Sequence, residues 1–494
     1  MSRMNIFLEK NLVINENRFN FVARTGNLRI ITCLQIFMSF KTQISAVQTA
    51  TRLPVKPSDL PAAIATEVSR VTGDVWQVRY FFSLLPCLAA YADRLRGRYT
   101  FGDEVHAANH YVFVVGPTAS GKGFLRRLYM DLMYLFCEAS DCERNLEEEY
   151  RQKMRAGGKG PKPENPHACI REFTGSVSQA AIQQSAANCM DRYGDALSFF
   201  YFSEEATSLA KGNRLNFSNM SEIMRLGFDF GTRFGNTRAH ADCSARTVNI
   251  RMNALLSSTY SGMRELFTPR EADQGSTLRY IFLELDDPID APPADTKPMS
   301  MEEKKRLDKV LRAMMGETHS DDGELQPEIW LDMSWLYPDV KKWCAAAQKR
   351  AEELRSVPYR NSSRRASVIA FRASMLLYHL YHIDNKLFDD VSRDEEWIRK
   401  KVKIMYKWMA SYILESGYRL FGEDLERELE KATKGRNFKE LLDFLPNEFS
   451  REKLVEISQA KGYTNKVSVR LSQWKKEGKI KEIGKKLYQK NTHL

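Results

Sequence analysis

The sequence has few of the features that mark specialised protein classes. Its eight cysteines include no CxxC pair, so neither a zinc site nor a disulfide framework is predicted, and a reducing, cytoplasmic location is expected. The longest uncharged apolar stretch, 80–92, contains Pro86 and is shorter than the roughly 20 residues of a membrane span. Residues 28–40 are apolar but lack a small-residue cleavage site, so a secretory signal is not predicted either.

The charge balance is the first positive signal. Lys and Arg number 74 against 63 Asp and Glu, which gives a net charge of +11 over 494 residues. A basic chain favours an anionic partner, such as nucleic acid or a phosphate-bearing ligand. At roughly 150 residues per domain, the length predicts about three domains.

Short apolar runs alternate with helical patterns from 110 to 285. Runs at 111–115, 197–202, 248–258 and 280–285 predict strands of a parallel sheet covered on both faces, and thus an α/β fold. The expected organisation is a poorly ordered extension (1–50), a helical region (51–105), the α/β core (106–290), a linker with a helical lid (291–435) and a basic C-terminal module (436–494). Within the helical region, Pro86 is expected to split 75–95 into two helices.

A glycine-rich segment lies directly between the strand at 111–115 and a helix that begins at Phe124. Glycines let backbone N–H groups surround a phosphate, the helix N-terminus is electropositive, and a lysine adds a point charge. This context predicts a P-loop that binds a nucleotide, normally with a Ser or Thr after the lysine to coordinate Mg²⁺. Here Gly123 takes that place, so the metal must depend on water, on Ser120 or Thr118, or on downstream acids. The predicted loop comprises Gly116, Pro117, Thr118, Ala119, Ser120, Gly121, Lys122 and Gly123.

Two acids follow the apolar run at 197–202, about 80 residues after the loop. An ATPase of this kind needs acids at the end of a second strand, one to hold Mg²⁺ through water and one to polarise the attacking water. We assign Glu204 to the metal and Glu205 to the water. A strand that merely ends in solvated glutamates is the alternative.

Later segments offer weaker candidates. The small polar residues Ser257, Ser258 and Thr259 could sit between the two acid-bearing strands and sense the γ-phosphate, although a plain strand end explains them equally well. Arg279, or Arg270, could reach the γ-phosphate of a neighbouring subunit as an arginine finger; a surface arginine is the alternative.

Two further patterns favour structural interpretations. The Gly-rich stretch 227–247 carries Arg233, Arg238 and Arg246 between aromatics, which suits a hairpin better than a contact with single-stranded nucleic acid. His106 and His110 have no acidic third ligand nearby, so we expect surface histidines rather than a metal site.

The C-terminal module has 14 Lys and Arg against 7 Asp and Glu over 436–494. Three short helical patterns and a final β-hairpin pattern predict a winged helix, in which Val467, Leu471 and Trp474 face the core. Because helix-turn-helix modules also bind proteins, a protein adaptor remains the alternative to a nucleic-acid reader. The residues expected to face outward and contact nucleic acid are Lys466, Arg470, Gln473 and Lys475.

In their order along the chain, the P-loop, the TGSVSQAAIQQSA helix, the SEEA acids and the strand that follows Arg279 resemble domain-of-unknown-function family 3987. This resemblance implies a RecA- or AAA-like P-loop NTPase core, found in bacterial phages, plasmids and conjugative elements beside primases and discussed as replicative helicases. It implies Lys122 as the phosphate lysine, Glu204 and Glu205 as the paired acids, Arg279 as the arginine before the last strand, and Arg372 as a weaker lid candidate. It also implies that a primase would be a separate protein.

These patterns together lead us to expect an ATP- and Mg²⁺-dependent ATPase of a mobile genetic element. The expected role is a DNA helicase or replication-initiation motor that forms a homo-oligomer, as a ring. Gly123 leaves open a non-motor DNA-binding protein in which ATP is a switch. The Gly after the lysine, as in nucleoside monophosphate kinases, leaves open a small-molecule kinase.

Overall fold

The computed structural model describes residues 51–156, 163–207, 220–234, 247–268, 271, 275–286, 294–320, 323–460, 467–484 and 486–491. The predicted extension over 1–50 lies outside them.

The described residues form an α/β structure. Twelve α-helices are described in chain order: α1 (Ala62–Ser69), α2 (Asp74–Tyr91), α3 (Phe124–Ala156), α4 (Gln179–Tyr193), α5 (Met220–Phe228), α6 (Tyr260–Leu266), α7 (Met301–Gly316), α8 (Tyr337–Leu354), α9 (Val357–Leu387), α10 (Glu395–Asp443), α11 (Arg451–Ala460) and α12 (Val467–Lys476). The described strands are β1 (Leu95–Arg98), β2 (Val105–Ala107), β3 (Tyr111–Val115), β4 (Glu172–Thr174), β5 (Ser198–Ser203), β6 (Arg233–Phe234), β7 (Val248–Asn249), β8 (Arg251–Ser258), β9 (Tyr280–Glu284), β10 (Ile329–Leu331), β11 (Glu448–Ser450), β12 (Ile480–Gly484) and β13 (Leu487–Lys490).

The central sheet is parallel and has the strand order β4-β5-β8-β3-β9. Val115 pairs with Ser258 on one side and with Glu284 on the other, so these strands end at one common edge. All five residues of β3 are buried, which explains why its sequence is apolar without alternation. The predicted parallel sheet is therefore confirmed, and its carboxyl edge collects the loops that follow the strands.

The helical region before the core differs from the prediction in two ways. Helix α2 runs unbroken past Pro86, and its residues from Val78 to Tyr91 are all buried; the expected break into two helices is wrong. Proline removes one backbone hydrogen bond, but packing of α2 against β3, β5 and β8 retains the helix. In addition, 95–98 forms strand β1, which pairs with β10 and β2, where only helix was expected.

Two long helices follow the sheet and pack along each other. Helix α9 is 31 residues long and α10 is 49, and α10 also packs against β9. The first helical pattern expected in the C-terminal module belongs to the end of α10. Beyond it, α11, α12 and an antiparallel sheet of order β11-β13-β12 enclose a separate small core that includes Leu441, Leu471 and Trp474.

The cysteines correct one prediction. Cys169 and Cys189 form a disulfide between the segment before β4 and helix α4, while the other cysteines of the described part are free thiols. Their spacing along the chain gives no sign of this pair, because the fold brings them together. Among the described residues, no helix is long and apolar enough to cross a membrane.

Candidate functional site

The glycine-rich loop joins β3 to α3 at the carboxyl edge of the sheet. Ala119 and Gly121 have positive φ angles of 64° and 87°, which turn the backbone back toward the helix. A Cβ on Gly116 would lie 2.7 Å from Ser120 Oγ and 2.8 Å from Leu285 Cβ, so only glycine fits. The Gly116 N–H donates to the Ser258 carbonyl at 3.2 Å, which ties the loop to β8.

Lys122 projects its ammonium group over this loop. Its Nζ donates to the Gly116 carbonyl at 2.9 Å and to the Pro117 carbonyl at 2.5 Å, and burial lowers its pKa. Thr118, Ala119 and Gly123 are exposed. A cation, the electropositive start of α3 and an exposed backbone loop thus converge on one point, which suits a polyphosphate.

The two acids lie at the same edge as the loop, at the end of β5. Strand β8 separates β5 from β3, which puts the acids about 10 Å from the loop at two strand spacings. Glu205 is exposed, and the Ser257 hydroxyl donates to the Glu204 carbonyl at 2.6 Å. The Glu204 carboxylate accepts from Arg126 Nε at 2.9 Å and also from its Nη2.

A cleft of about 630 Å³ opens between α3 and the ends of β4 and β5. Its lining includes Arg126, Tyr129, Thr174, Glu204 and Glu205. Tyr129 stacks on Phe202 at 4.4 Å between ring centroids, and both rings line the cleft. Both predicted acids therefore face one solvent-accessible space beside the helix that follows the loop.

The three candidate sensor residues differ in what they contact. Ser257 holds the Glu204 backbone, and Thr259 caps α6 by accepting from the Gly262 N–H at 3.3 Å. Ser258 is 2% exposed. Of the three, Ser258 is the one whose hydroxyl has no hydrogen-bond partner among the described residues, and it lies against Gly262 of α6.

Arg279 lies at the amino ends of the strands, whereas the loop lies at their carboxyl ends. It precedes β9, whose first residue Tyr280 pairs with Tyr111 at the start of β3, so a strand length of about 15 Å separates it from the loop. Its guanidinium donates to Asp229 at 2.7 Å and to the Gly275 carbonyl at 2.9 Å. Arg365 donates to the same Asp229 at 3.0 Å. Arg279 thus does not serve the loop of its own chain; Arg270 lies outside the described residues.

Three buried groups correct the sequence predictions. Arg372 is fully buried and donates to the Phe228 carbonyl at 2.8 Å and to Asn109 Oδ1 at 3.2 Å, so it is a core residue rather than a lid arginine. His106 and His110 are buried and not on the surface as expected. Burial, with Arg372 nearby, lowers the pKa of each to about 3, so both rings are neutral at pH 7.

Arg419 of α10 is the residue that sequence reasoning missed. Its Nε donates to Glu284 Oε1 at 2.8 Å, at the end of β9 and therefore at the same edge as the loop. The side chain is 48% exposed. The position carries no motif, and only the fold of α10 back onto β9 could identify it.

The hairpin predicted over 227–247 stays a prediction, because 235–246 lie outside the described residues and the second strand, β7, begins after the stretch. Strands β6 and β7 pair antiparallel, with Arg233 opposite Asn249. Arg238 and Arg246 lie outside the described residues, so a contact with nucleic acid stays a prediction.

The basic module agrees with the prediction on its core and disagrees on Arg470. Leu471 and Trp474 are buried as predicted, and Gln473 and Lys475 are exposed. Arg470 is only 2% exposed, because its guanidinium turns inward to donate to Ser458 Oγ of α11 at 2.9 Å; the prediction of an outward side chain is wrong. Lys466 lies outside the described residues.

The residues at the carboxyl edge suit a magnesium ion that shares its coordination with phosphate. No cluster of three His, Cys, Asp or Glu occurs in the part of the chain that the structure describes. Mg²⁺ keeps several waters and takes one or two carboxylates plus substrate phosphates, so such a cluster is not required. Glu204 and Glu205 are two carboxylates at this edge that fit, while a third, Glu284, pairs with Arg419.

Comparison with protein-family models finds no match, and comparison with curated proteins finds no match. The resemblance to domain-of-unknown-function family 3987 therefore stays a prediction.

Proposed function

We propose that this chain is a P-loop ATPase of the RecA or AAA type that uses ATP hydrolysis to act on DNA, as a helicase or replication-initiation motor of a mobile genetic element. One observation carries the proposal. The loop Gly116–Gly123 and the acids Glu204 and Glu205 meet at one edge of a parallel sheet, with β8 between their strands. This arrangement supports a proposal in which the loop binds the phosphates and the two carboxylates act on the γ-phosphate.

The loop would hold the β- and γ-phosphates. Its backbone N–H groups and the start of α3 would face the anion, and Lys122 would transfer its hydrogen bonds from the Gly116 and Pro117 carbonyls to phosphate oxygens. A charge-assisted bond to phosphate is stronger than a bond to a neutral carbonyl. The hydrogen bonds from Lys122 to a triphosphate would therefore be stronger than those it makes to carbonyls of its own loop.

The acids would activate water beside the γ-phosphate. Exposed Glu205 is assigned to orient and polarise the attacking water, while Glu204 would hold Mg²⁺ through water. When bound, the ion would neutralise part of the negative charge of the phosphates. Ser258, with its buried hydroxyl directed to no described partner, is assigned to sense the γ-phosphate.

A second subunit would complete the site. Because Arg279 lies at the edge opposite the loop, an arginine finger at this position must serve the loop of a neighbour, which suits a homo-oligomeric ring. The helices α11 and α12 with their three-stranded sheet form the proposed winged helix, and Gln473 and Lys475 are its proposed DNA contacts.

The proposal is tested by ATP hydrolysis at low salt, with and without single-stranded DNA, because DNA contacts made by charge weaken steeply with salt. Lys122→Ala should abolish turnover, and Glu205→Gln should abolish turnover while retaining ATP binding. The matched control is Lys341→Ala, an exposed lysine of α8, which should behave as wild type. Wild-type turnover in Lys122→Ala refutes the assignment of the loop, and turnover that DNA does not change refutes the DNA-dependent motor.

A second function, a DNA-binding protein that ATP switches without turnover, is favoured by Gly123. No described atom lies within 4 Å of a Cβ built on this residue, so a Ser or Thr side chain would fit here. The chain nevertheless has glycine and lacks the usual hydroxyl ligand of Mg²⁺. Tight ATP binding by wild type with no hydrolysis under any DNA condition would support the switch.

A further inference from the structure

The geometry of the sheet fixes where the rest of a bound nucleotide must lie; this inference rests on the proposed function. In the proposed function the γ-phosphate lies near Glu205, which follows β5, to one side of the loop strand β3. The α-phosphate and the nucleoside must then leave the loop toward the other neighbour of β3, which is β9. A nucleoside site is therefore sought between the loop and the end of β9.

A cavity of about 610 Å³ lies at this place. Pro117 of the loop and Leu285, directly after β9, line it, so it adjoins the phosphate-binding segment. Its volume is within the roughly 300–1,000 Å³ of small-molecule sites. Its other walls come from Thr51, from α2, α6 and α10, and from the end of β9. They combine apolar side chains with five charged ones, which are Arg79, Glu284, Asp286, Glu415 and Arg419.

The apolar and polar walls suit a nucleoside. Val75, Val78 and the ring of Tyr412 supply apolar surface, which binds the faces of a base. Glu415 and Ser416 supply polar atoms. Glu415 already accepts from the Tyr359 hydroxyl at 3.3 Å. Because a carboxylate has about four acceptor positions, Glu415 can also accept from a base with an exocyclic amine, as adenine has.

The α10 wall is fixed to the sheet rather than loosely placed. Arg419 pairs with Glu284, and Arg264 of α6 donates to the Leu420 carbonyl at 2.9 Å. Phe421 packs against Phe282 of β9 at 4.9 Å between ring centroids. These contacts preorganise the cavity, which lowers the entropic cost of binding.

The wall on the β9 side is equally well held. Arg79 of α2 is 4% exposed and donates to the Glu284 carbonyl at 2.8 Å and to Asp286 at 2.6 Å. The end of β9 and the two residues after it therefore contact α2 through Arg79 and α10 through Arg419. Leu285 in this segment also lies against Gly116 of the loop.

We propose that this cavity binds the nucleoside of the triphosphate, with the base between Val75, Val78 and Tyr412 and its exocyclic amine toward Glu415. The chain then selects adenine nucleoside triphosphates and does not merely bind polyphosphate. Specificity resides in α2 and α10, outside the glycine-rich loop.

The test measures binding of ATP, inosine triphosphate and inorganic tripolyphosphate by calorimetry. Val75 is 38% exposed at the cavity rim in the first turn of α2, so Val75→Trp would fill the cavity from outside. Val357, 37% exposed in the first turn of α9, gives the matched control Val357→Trp. Val75→Glu, which places a carboxylate on the apolar wall, is the second variant should the tryptophan prevent folding.

Wild type should bind ATP about tenfold more tightly than tripolyphosphate or inosine triphosphate, the factor that one well-made contact supplies. Val75→Trp or Val75→Glu should remove the preference for ATP over tripolyphosphate while tripolyphosphate binding, which also reports folding, is retained; Val357→Trp should change nothing. Unchanged ATP affinity in both Val75 variants overturns the cavity, and equal wild-type affinity for ATP and inosine triphosphate overturns the adenine selection. Failure of wild type to bind tripolyphosphate and both nucleotides overturns the proposed function itself.

Discussion

The pairing of Arg126 with Glu204 predicts that the arginine competes with Mg²⁺ for the carboxylate. Arg126 lies four residues after Lys122, in the first turn of α3, and donates two hydrogen bonds to Glu204 Oε2. If Glu204 holds the metal through water, the arginine cation on Oε2 opposes the positive charge of the ion and neutralises part of the carboxylate charge. Arg126→Ala therefore should lower the Mg²⁺ concentration needed for half-maximal ATP hydrolysis.

The exposure of the pair sets the size of the effect. The Arg126 side chain is 67% exposed and that of Glu204 is 33% exposed, and such pairs contribute about 0.2–1 kcal/mol. Removal of the competitor therefore should lower the half-saturating Mg²⁺ concentration by at most about fivefold. Solvent and salt screen the interaction, so the difference should shrink as ionic strength rises.

The assay is a Mg²⁺ titration of ATP turnover at low and high salt. Arg151→Ala is the matched control, since Arg151 pairs with Glu147 on the same helix and the two side chains are 57% and 34% exposed. That pair lies about 37 Å farther along α3 at 1.5 Å per residue. An unchanged or higher half-saturating concentration in Arg126→Ala, relative to Arg151→Ala, would show that Glu204 is not the metal-side acid.

Two further predictions concern stability and metal affinity. Asp384 accepts from the Ala62 N–H at 2.7 Å, and burial raises its pKa to about 7. The carboxyl ionises near pH 4 in the unfolded chain and near pH 7 in the native protein. The free energy of unfolding therefore falls as pH rises through that interval. Relative to wild type, Asp384→Asn should gain on the order of 3 kcal/mol in free energy of unfolding between pH 4 and pH 8, as denaturant titrations would measure; the same offset at both pH values would contradict this. Gly123→Ser should restore a hydroxyl ligand where no described atom obstructs it and raise Mg²⁺-dependent turnover several-fold, on the order of 1 kcal/mol; a loss of ATP binding would show that the position contacts phosphate instead.

The parts of the structure that the sequence predicts best depend on local chemistry. An uncharged run, a glycine-rich turn and a helix start follow one another within about 15 residues, so 111–124 could be assigned without any tertiary information. The parallel sheet follows for the same reason, because strands buried on both faces have no polar alternation. Helix α2 shows where local chemistry is not sufficient. Pro86 disfavours a helix locally, but burial of the residues from Val78 to Tyr91 outweighs that effect.

The wrong assignments concern charged groups whose partners are remote in sequence. Arg372 donates to the Phe228 carbonyl, 144 residues earlier in the chain, and Arg470 donates to Ser458 of a different helix. Helical periodicity places Arg470 on a face but does not identify what that face contacts, and the family resemblance implies a lid position for Arg372 without identifying its neighbours. Arg419 was overlooked for the same reason, since Glu284 is 135 residues earlier.

Helix α10 has a mechanical consequence. One continuous helix extends from Arg419, at the wall of the proposed nucleoside cavity, to Asp443 beside the core of the C-terminal module. At 1.5 Å per residue this arm is about 36 Å long, so a rotation at the cavity would be enlarged at the far end. Where that module holds DNA as proposed, the helix would carry a change at the nucleotide to the DNA contacts.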